Sequence, residues 1–267
     1  INFLAILEDW VNVCFTSVRW DNFYSSKFRL NCGVRQGGVL SPCLFAVYID
    51  DVIEHVKRQN VGCLFRMVNT SIILYADDIL LLAPSVHALQ VLLLACESQL
   101  SLLDLQINAK KSVCVRIGPR CHADCCHVTM SDGREIVWSN TVRYLGIFIK
   151  CSRKFSCSFD SAKKSFYRSF NAVFGRIGRQ ASEEVVLHLI VHKCLPCMLY
   201  GTDVCPVNRT ELRALEFPVT RVLMKLFKTK SKDIVTECQR YFGVQTVPEM
   251  IVNRKLSFLN KFGSSSK

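Results

Sequence analysis

Two apolar runs enclose an acidic tetrapeptide, and this arrangement constrains the fold more than any other feature of the sequence. Ser71-Ile72-Ile73-Leu74 precedes Tyr75-Ala76-Asp77-Asp78, and Ile79-Leu80-Leu81-Leu82 follows it. Apolar runs of this length around a short polar segment predict a β-hairpin with both carboxylates at its tip. Because like charges so close together repel each other, a bound divalent cation would stabilise the pair.

An ordinary solvated turn is the alternative interpretation, since Asp is a favoured turn residue. Tight hairpins prefer Asn-Gly or Asp-Gly in the turn, whereas Ala76-Asp77-Asp78 contains neither Gly nor Asn. This departure from the usual turn residues indicates that the carboxylates have a function other than forming the turn.

A second segment, Tyr48-Ile49-Asp50-Asp51, shows the same order of aromatic, aliphatic and two acidic residues. Ser41-Pro42 before it is a good helix start. The apolar residues around it recur at helical spacing, namely Phe45, Ile49, Val52 and Val56. These features predict one amphipathic helix from Pro42 to about Arg58, with Asp50 and Asp51 on its polar side.

Composition favours a folded intracellular protein. The 267 residues are 50% hydrophobic, which is enough for a substantial core. The start lacks the pattern of a signal peptide, and no window of about 18 residues is apolar enough to span a bilayer. The 15 cysteines are scattered and odd in number, so we expect free thiols in a reducing compartment.

Two cysteine-rich segments could alternatively bind zinc. One is Cys121-His122-Ala123-Asp124-Cys125-Cys126-His127, and the other is Cys194-Leu195-Pro196-Cys197 with Cys205 nearby. Neither has a second pair at the spacing of a known zinc module. A zinc-dependent interaction module using Cys121, Cys125, Cys126 and His127 therefore stands as a minor hypothesis.

The net charge of +12 is unevenly distributed along the chain. Residues 1–142 carry 12 basic and 13 acidic side chains, a net charge of −1, whereas residues 143–267 carry 22 and 9, a net charge of +13. A basic block after a neutral one indicates a polyanionic partner. A merely solvated basic surface is the competing interpretation.

The order of predicted elements indicates an α+β fold. We expect a helix from Ile1 to about Val18, a strand or hairpin over 23–32, a strand over 64–68, the acidic hairpin, and a helix ending before Asn108. Short strands are predicted over 112–117 and 144–149. This alternation describes an antiparallel sheet with helices on one face. From Ser161 onward the pattern is helical, with helix starts predicted at Ser182, Asn208 and Ser231.

The order of four motifs carries a family resemblance. The motifs are Gly33-Val34-Arg35-Gln36-Gly37-Gly38-Val39-Leu40-Ser41-Pro42, then Tyr75-Ala76-Asp77-Asp78, then Asn108-Ala109-Lys110-Lys111-Ser112, then Tyr144-Leu145-Gly146-Ile147. Over nearly its whole length the chain resembles the reverse transcriptase of a non-LTR (LINE-type) retrotransposon. The resemblance implies a polymerase palm at 1–150 and a basic, all-α thumb-like region at 151–267.

The resemblance also implies roles for individual residues. Asp77 and Asp78 would bind Mg²⁺ for phosphoryl transfer by a two-metal mechanism. Lys110 or Lys111 would lie near the triphosphate and protonate the pyrophosphate leaving group, and Lys111 fits the family spacing slightly better. The residues implied to contact template and nucleotide are Arg35, Gln36, Gly37, Gly38 and Tyr75. Those implied to contact the primer are Tyr144, Leu145 and Gly146. Those implied to contact the nucleic-acid backbone are Lys163, Lys164, Arg168, Arg176 and Arg179.

Simpler interpretations stay open for several of these residues. Gly37 and Gly38 could form an ordinary turn into a helix, Lys110 and Lys111 could be solvated, and Gly146 could belong to an ordinary strand pair.

The family's first catalytic Asp, which lies on a strand upstream of the glycine-rich loop, has no counterpart here. Asp9 and Asp21 are the only aspartates before Gly33, and no apolar strand leads into either. We therefore expect a truncated palm that lacks the fingers, and no polymerisation by this chain alone. In the intact enzyme the implied function is RNA-directed DNA synthesis from an RNA template, a DNA primer and deoxynucleoside triphosphates, in the nucleus when target DNA is used. The contrasting hypothesis is a non-catalytic nucleic-acid-binding remnant or a domesticated protein.

Overall fold

The computed structural model describes residues 2–30, 33, 37–178 and 180–265. The chain divides into two compact units, Ile1–Ile107 and Asn108–Lys267. Each unit has its own cluster of buried apolar side chains. The expected α+β class is confirmed, since short antiparallel strands and helices alternate in the first part and helices dominate the second.

The first unit opens with helix α1 (Phe3–Asn12), whose side-chain cap is Asn2. Two nested antiparallel hairpins follow, in which β1 (Phe15–Thr16) pairs with β4 (Phe28–Arg29) and β2 (Arg19–Trp20) pairs with β3 (Phe23–Tyr24). The predicted helix to Val18 is wrong beyond Asn12. The reason is that strand pairing by Phe15 and Thr16 overrides the apolar periodicity of the local sequence.

The helix predicted over 42–58 is two helices, α2 (Ser41–Tyr48) and α3 (Asp50–Arg58). Ile49 lies between them with φ −96° and ψ 0°, a sparsely populated backbone region, and its side chain is buried. The amphipathic pattern of the second half is confirmed, because Val52 and Val56 are fully buried.

The rest of the first unit consists of two hairpins and a long helix. β5 (Leu64–Phe65) pairs with β6 (Val68–Asn69), β7 (Ile72–Tyr75) pairs with β8 (Asp78–Leu81), and α4 spans Val86–Leu102. Buried side chains of α3, α4 and β7 form the core of this unit, including Val52, Val56, Ile72, Leu92, Cys96 and Leu100. Helices α3 and α4 therefore cover one face of the β7–β8 hairpin.

Strands in the second unit form two small three-stranded sheets. In the first, β11 (Glu135–Trp138) lies between antiparallel β10 (Val128–Thr129) and parallel β9 (Val113–Cys114). In the second, β13 (Ile147–Lys150) lies between β12 (Thr141–Tyr144) and β14 (Cys157–Ser158), all antiparallel. The β13–β14 pairing joins residues on both sides of position 150, where we placed the boundary between palm and thumb-like regions; that functional boundary stays a prediction.

Helices complete the second unit around a core that contains Phe166 and Phe170. They are α5 (Asp160–Ile177), α6 (Glu183–Leu189), a π-helical turn (Ile190–Cys194), α7 (Leu195–Met198), α8 (Arg209–Leu226), α9 (Lys232–Tyr241) and α10 (Val247–Ser265). The predicted helix starts are confirmed, because the side chains of Ser182, Asn208 and Ser231 all accept a backbone N–H of the first turn. Among the described residues, no helix has the length and apolar character needed to cross a bilayer.

Candidate functional site

The acidic hairpin has the tight turn that the sequence predicts. Tyr75 and Asp78 form the last cross-strand pair, so Ala76 and Asp77 alone make the connection. Ala76 adopts φ 53°, in the left-handed region that favours glycine. An alanine held there indicates that the hairpin imposes its geometry on the turn, at a conformational cost of about 1 kcal/mol.

Strand alternation places Tyr75 and Asp78 on the face of the hairpin that the helices do not cover. Ile72 is buried in the core, and its cross-strand partner Leu81 packs against that core. The opposite face contains Ile73, and it ends in the Tyr75–Asp78 pair. Tyr75 is 62% exposed, and both carboxylates are exposed. The tip can therefore be reached by a cation and by a large ligand.

The second Asp-Asp pair occupies a different environment, as the sequence predicts. Asp50 and Asp51 are exposed in the first turn of α3, where carboxylates interact favourably with the helix dipole. Their presence therefore has a structural explanation that requires no ligand.

The glycine-rich loop is described only in part. Arg35 and Gln36, predicted to contact template and nucleotide, lie outside the described residues. Gly37 has φ +80°, and a Cβ atom at this position would meet no atom within 4 Å. Glycine is therefore favoured at position 37 by the positive φ, since a side chain there would meet no steric obstacle. Gly38 accepts a hydrogen bond from the Ser41 N–H at the start of α2.

Both candidate triphosphate-contacting lysines are exposed at the start of the second unit. The side chain and the carbonyl of Asn108 both accept hydrogen bonds from the Lys111 N–H, which fixes the turn that presents the two lysines. Asn108 therefore has a local structural role, whatever the lysines bind.

Tyr144-Leu145-Gly146, the predicted primer-contacting segment, forms the tight turn between β12 and β13. Leu145 and Gly146 both have positive φ values, 46° and 80°, which matches the twist of a two-residue hairpin. The Tyr200 hydroxyl donates a hydrogen bond to the Leu145 carbonyl at 3.0 Å. A Cβ atom at Gly146 would lie 3.3 Å from the Tyr200 ring. Tyr200 thus supports this turn from the helical region, a contact that the sequence did not predict.

The residues predicted to contact the nucleic-acid backbone from the start of the helical region differ in exposure and in ion pairing. Lys164, Arg168 and Arg176 are exposed. Lys163 instead lies 2.7 Å from a carboxylate oxygen of Asp160 in an ion pair, and this pairing, together with Ser158, lowers the pKa of Asp160. Arg179 lies outside the described residues.

A groove between α5 and α8 adds basic residues that sequence reasoning missed. Its volume is about 810 Å³, and its lining includes Tyr167, Phe170, Phe217, Arg221, Lys225 and Lys230. The Lys225 ammonium lies 4.6 Å from the centroid of the Phe174 ring, and the Arg221 guanidinium lies 6.0 Å from that of Phe217. Phe217, Arg221 and Lys225 follow each other at intervals of four, so the sequence did contain this signal.

Comparisons with known proteins bear on the same segments. The family described as "Reverse transcriptase (RNA-dependent DNA polymerase)" matches residues 2–149, more than half of the chain. This range contains the glycine-rich loop, the acidic hairpin and the β12–β13 turn.

Several curated proteins of mobile elements are similar to the chain. The Pol polyprotein of the type-2 retrotransposable element R2DM from Drosophila melanogaster is 29% identical over 150 residues, 54% of this chain and 14% of that protein. The RNA-directed DNA polymerase from the mobile element jockey of the same species is 27% identical over 192 residues, 69% of this chain and 20% of that protein.

The Pol polyprotein of the type-1 element R2 from Popillia japonica is 26% identical over 199 residues, 70% of this chain and 26% of that protein. The chain thus spans between 14% and 26% of the length of these three relatives. The resemblance to non-LTR retrotransposon sequences is confirmed, and the chain belongs to the reverse transcriptase (RNA-dependent DNA polymerase) family.

Proposed function

We propose that this chain is part of an RNA-directed DNA polymerase of a non-LTR retrotransposon. The observation that carries the proposal is the exposed Asp77–Asp78 pair, beside Tyr75 at the tip of a tight hairpin inside the segment that matches the family. The working enzyme would take an RNA template, a DNA primer and deoxynucleoside triphosphates. We place it inside the cell, and in the nucleus when it uses target DNA.

The acidic tip fits the divalent metal that reverse transcriptases use. Asp77 and Asp78 offer exposed carboxylate oxygens, the ligands that hard cations such as Mg²⁺ prefer. When bound, the metal stabilises the attacking and leaving oxygens of phosphoryl transfer. Asp77 and Asp78 would hold the metal, while Tyr75 on the same face would contact the nucleic acid next to it.

We further propose that the chain alone does not polymerise nucleotides. Two-metal chemistry requires the two ions to be fixed against the attacking and leaving oxygens, and by family resemblance a third carboxylate contributes to this geometry. Among the described residues of the first unit, no further His, Cys or carboxylate completes a group of three ligands with Asp77 and Asp78.

The remaining proposed contacts are distributed over both units. Gly37, Gly38, Arg35 and Gln36 would contact template and nucleotide, Lys110 or Lys111 the triphosphate, and Tyr144, Leu145 and Gly146 the primer. For the backbone of the duplex we propose Lys164, Arg168, Arg176 and Arg179, with Lys163 contributing less because of its ion pair with Asp160.

Metal binding tests the catalytic assignment without requiring turnover. Mn²⁺, which is paramagnetic, should broaden the NMR signals of the β7–β8 tip in the wild-type chain and much less in Asp77→Ala. The matched control is Asp51→Ala, which removes a carboxylate from the similar Tyr48-Ile49-Asp50-Asp51 segment and should leave the broadening unchanged. Absence of broadening at the tip in the wild type would show that the tip is not a metal site, and equal broadening in Asp77→Ala would show that Asp77 is not a ligand.

Primer extension on an RNA template with Mg²⁺ tests activity. We expect no extension by the wild type or by Asp77→Ala. Extension that is lost in Asp77→Ala and kept in Asp51→Ala would refute the proposed inactivity and support the polymerase site. If Asp77→Ala changes neither metal binding nor extension, and the chain binds an RNA–DNA hybrid, the non-catalytic binding protein is the correct interpretation.

A further inference from the structure

In the second unit, the cysteine-rich loop (residues 121–127) and the residue that follows β13 bring together three side chains that can bind metal. The Sγ atoms of Cys121 and Cys151 and a ring nitrogen of His122 all lie within 4.8 Å of one another. Cys151 is thirty residues away from Cys121 in the sequence, so the fold and not a local motif assembles this group. Among the described residues, it is the one group of three or more His, Cys, Asp or Glu side chains with this proximity.

Backbone hydrogen bonds hold the two segments in register. Ile117 and Ser152 form a parallel bridge, and the Gly118 N–H donates to the Ser152 carbonyl at 3.0 Å. The Cys121 N–H then donates to the Gly118 carbonyl, which closes a turn that carries Cys121 towards β13.

Cys151 itself is fixed from two sides. The Cys151 N–H donates to the Asn140 carbonyl at 2.8 Å, and its thiol lies 3.2 Å from the Cys121 carbonyl. The group is therefore anchored by main-chain contacts before any ligand binds.

The dimensions of the group are near those of a zinc site. Zn–S bonds of about 2.3 Å and Zn–N bonds of about 2.0 Å in a tetrahedron require ligand separations of about 3.5–3.8 Å. Ligand atoms within 4.8 Å of one another need to approach one another by up to about 1.3 Å to reach these separations. Rotation of the exposed His122 side chain supplies part of that movement.

The three side chains differ in burial, and one of them is open to solvent. Cys121 is 5% exposed and Cys151 is half-buried, while His122 reaches solvent and provides an entry path. The Arg116 guanidinium lies 5.2 Å from the Trp138 ring, and it only partly opposes the rise that burial and the neighbouring Cys121 cause in the pKa of the Cys151 thiol. Its Nε atom is buried without a hydrogen-bond partner among the described residues.

The other cysteines and the histidine of the loop have different neighbours. Cys125 lies next to Cys114, whose pKa is raised to about 11 chiefly by burial. The Cys126 carbonyl accepts a hydrogen bond from the Trp138 indole, and His127 lies 3.0 Å from Glu135. The set expected from the sequence alone, Cys121 with Cys125, Cys126 and His127, is therefore not the set that the fold brings together.

We propose that Cys121, His122 and Cys151 bind one Zn²⁺ ion, which ties the cysteine-rich loop to the end of β13. Soft thiolate ligands combined with one imidazole select zinc among the abundant divalent ions. With three protein ligands, the fourth position is left to water or another small ligand. Zinc would crosslink the loop to the end of β13. The other end of β13 begins directly after the Tyr144-Leu145-Gly146 turn.

The test uses the full chain, purified under reducing conditions, with Zn²⁺ alone as the ligand. We expect about one equivalent of zinc per chain by elemental analysis, and thiolate-to-metal charge-transfer absorption after replacement by Co²⁺. Cys151→Ser and His122→Ala should each weaken zinc binding by at least about 100-fold, since even loss of an outer partner costs 10–100-fold. His122 is exposed, so its removal should leave the folded chain available for measurement.

The matched controls are Cys126→Ser and His127→Ala, which remove exposed candidates from the same loop and should leave zinc binding unchanged. Absence of zinc and of the Co²⁺ charge-transfer absorption in the wild type would overturn the proposal. So would zinc binding that survives in the His122→Ala/Cys151→Ser double variant, or binding that depends on Cys126 and His127 instead. Polymerase activity enters none of these readouts.

Discussion

At the scale of single residues, the acidic turn is the most informative part of the chain. Ala76 has a positive φ although an Asn-Gly turn would relieve the strain. The neighbouring carboxylates are exposed and have no structural task comparable to that of Asp50 and Asp51, which begin a helix. This combination of local strain with exposed like charges supports the metal site proposed at the tip.

The strain at Ala76 leads to a first prediction. Ala76→Gly should raise the free energy of unfolding by up to about 1 kcal/mol. The reason is that the strain relieved in the folded state outweighs the extra conformational freedom that glycine gives the unfolded chain. Urea unfolding followed by circular dichroism measures the change. Ala46→Gly, in the middle of α2, is the matched control and should lower stability by about 0.5–1 kcal/mol. Equal destabilisation by both substitutions would refute the left-handed assignment.

Cys96 gives a prediction about pH. Burial, assisted by the charge of Glu97, raises the pKa of the Cys96 thiol to about 12. In the unfolded chain the thiol ionises near pH 8.5, about its usual pKa. The contribution of Cys96 to stability should therefore be complete below that pH and decline as the pH rises towards the folded-state pKa.

Urea unfolding over a series of alkaline pH values measures this decline. Cys96→Ala should be less stable overall but should lose less stability with rising pH than the wild type. Cys43→Ala, which removes an exposed thiol, should keep the wild-type slope. A wild-type slope in Cys96→Ala would mean that the thiol does not remain protonated in the folded chain.

At the scale of elements, contacts distant in sequence hold the candidate sites in place. The β12–β13 turn is supported by Tyr200, which follows α7, and the basic groove exists because α5 packs next to α8. Secondary structure alone would position neither feature.

Tyr200→Phe should loosen the β12–β13 turn. The substitution removes the hydrogen bond to the Leu145 carbonyl, with an expected cost of about 0.5–1.5 kcal/mol, while the ring contact with Gly146 stays. Hydrogen exchange of the β12 and β13 amides should become faster. Tyr241→Phe, at a hydroxyl on an 85% exposed side chain, should change neither stability nor exchange.

The groove between α5 and α8 and the ion pair of Lys163 predict that the basic residues contribute unequally to nucleic-acid binding. Lys225→Ala should weaken binding of an RNA–DNA hybrid and reduce the salt dependence of binding by about one unit of slope. Lys163→Ala should have a smaller effect than Lys164→Ala, because Asp160 already neutralises Lys163. Fluorescence anisotropy titrations at several salt concentrations measure both quantities. Equal losses in Lys163→Ala and Lys164→Ala would contradict the role given to the ion pair.

At the scale of the whole molecule, two separate apolar clusters stabilise the chain. Leu92 is fully buried in the first unit, and Phe166 is fully buried in the second. Leu92→Ala should cost about 2–5 kcal/mol and Phe166→Ala about 3–5 kcal/mol. Because Leu92 and Phe166 belong to different apolar clusters, the loss of unfolding free energy in the double variant should equal the sum of the two single losses within about 0.5 kcal/mol in urea unfolding. A larger deviation would show that the two sites are energetically coupled.

The sequence determined the features that depend on neighbours along the chain. The acidic hairpin, the helix caps at Ser182, Asn208 and Ser231, and the polar position of Asp50 and Asp51 follow from apolar periodicity and turn chemistry. These signals are local, so they can be read without knowing the fold. The order of motifs was enough to identify the family.

Tertiary structure decided the features that depend on distant partners. Phe15 and Thr16 form a strand because Phe28 and Arg29 pair with them, Tyr200 reaches the β12–β13 turn, and Cys151 joins Cys121 and His122. Nothing in the spacing of these residues predicts such contacts, because side-chain and backbone partners far apart in sequence meet only after the chain has folded. The physical reason is that packing and long-range strand pairing outweigh the small local preferences of a short segment.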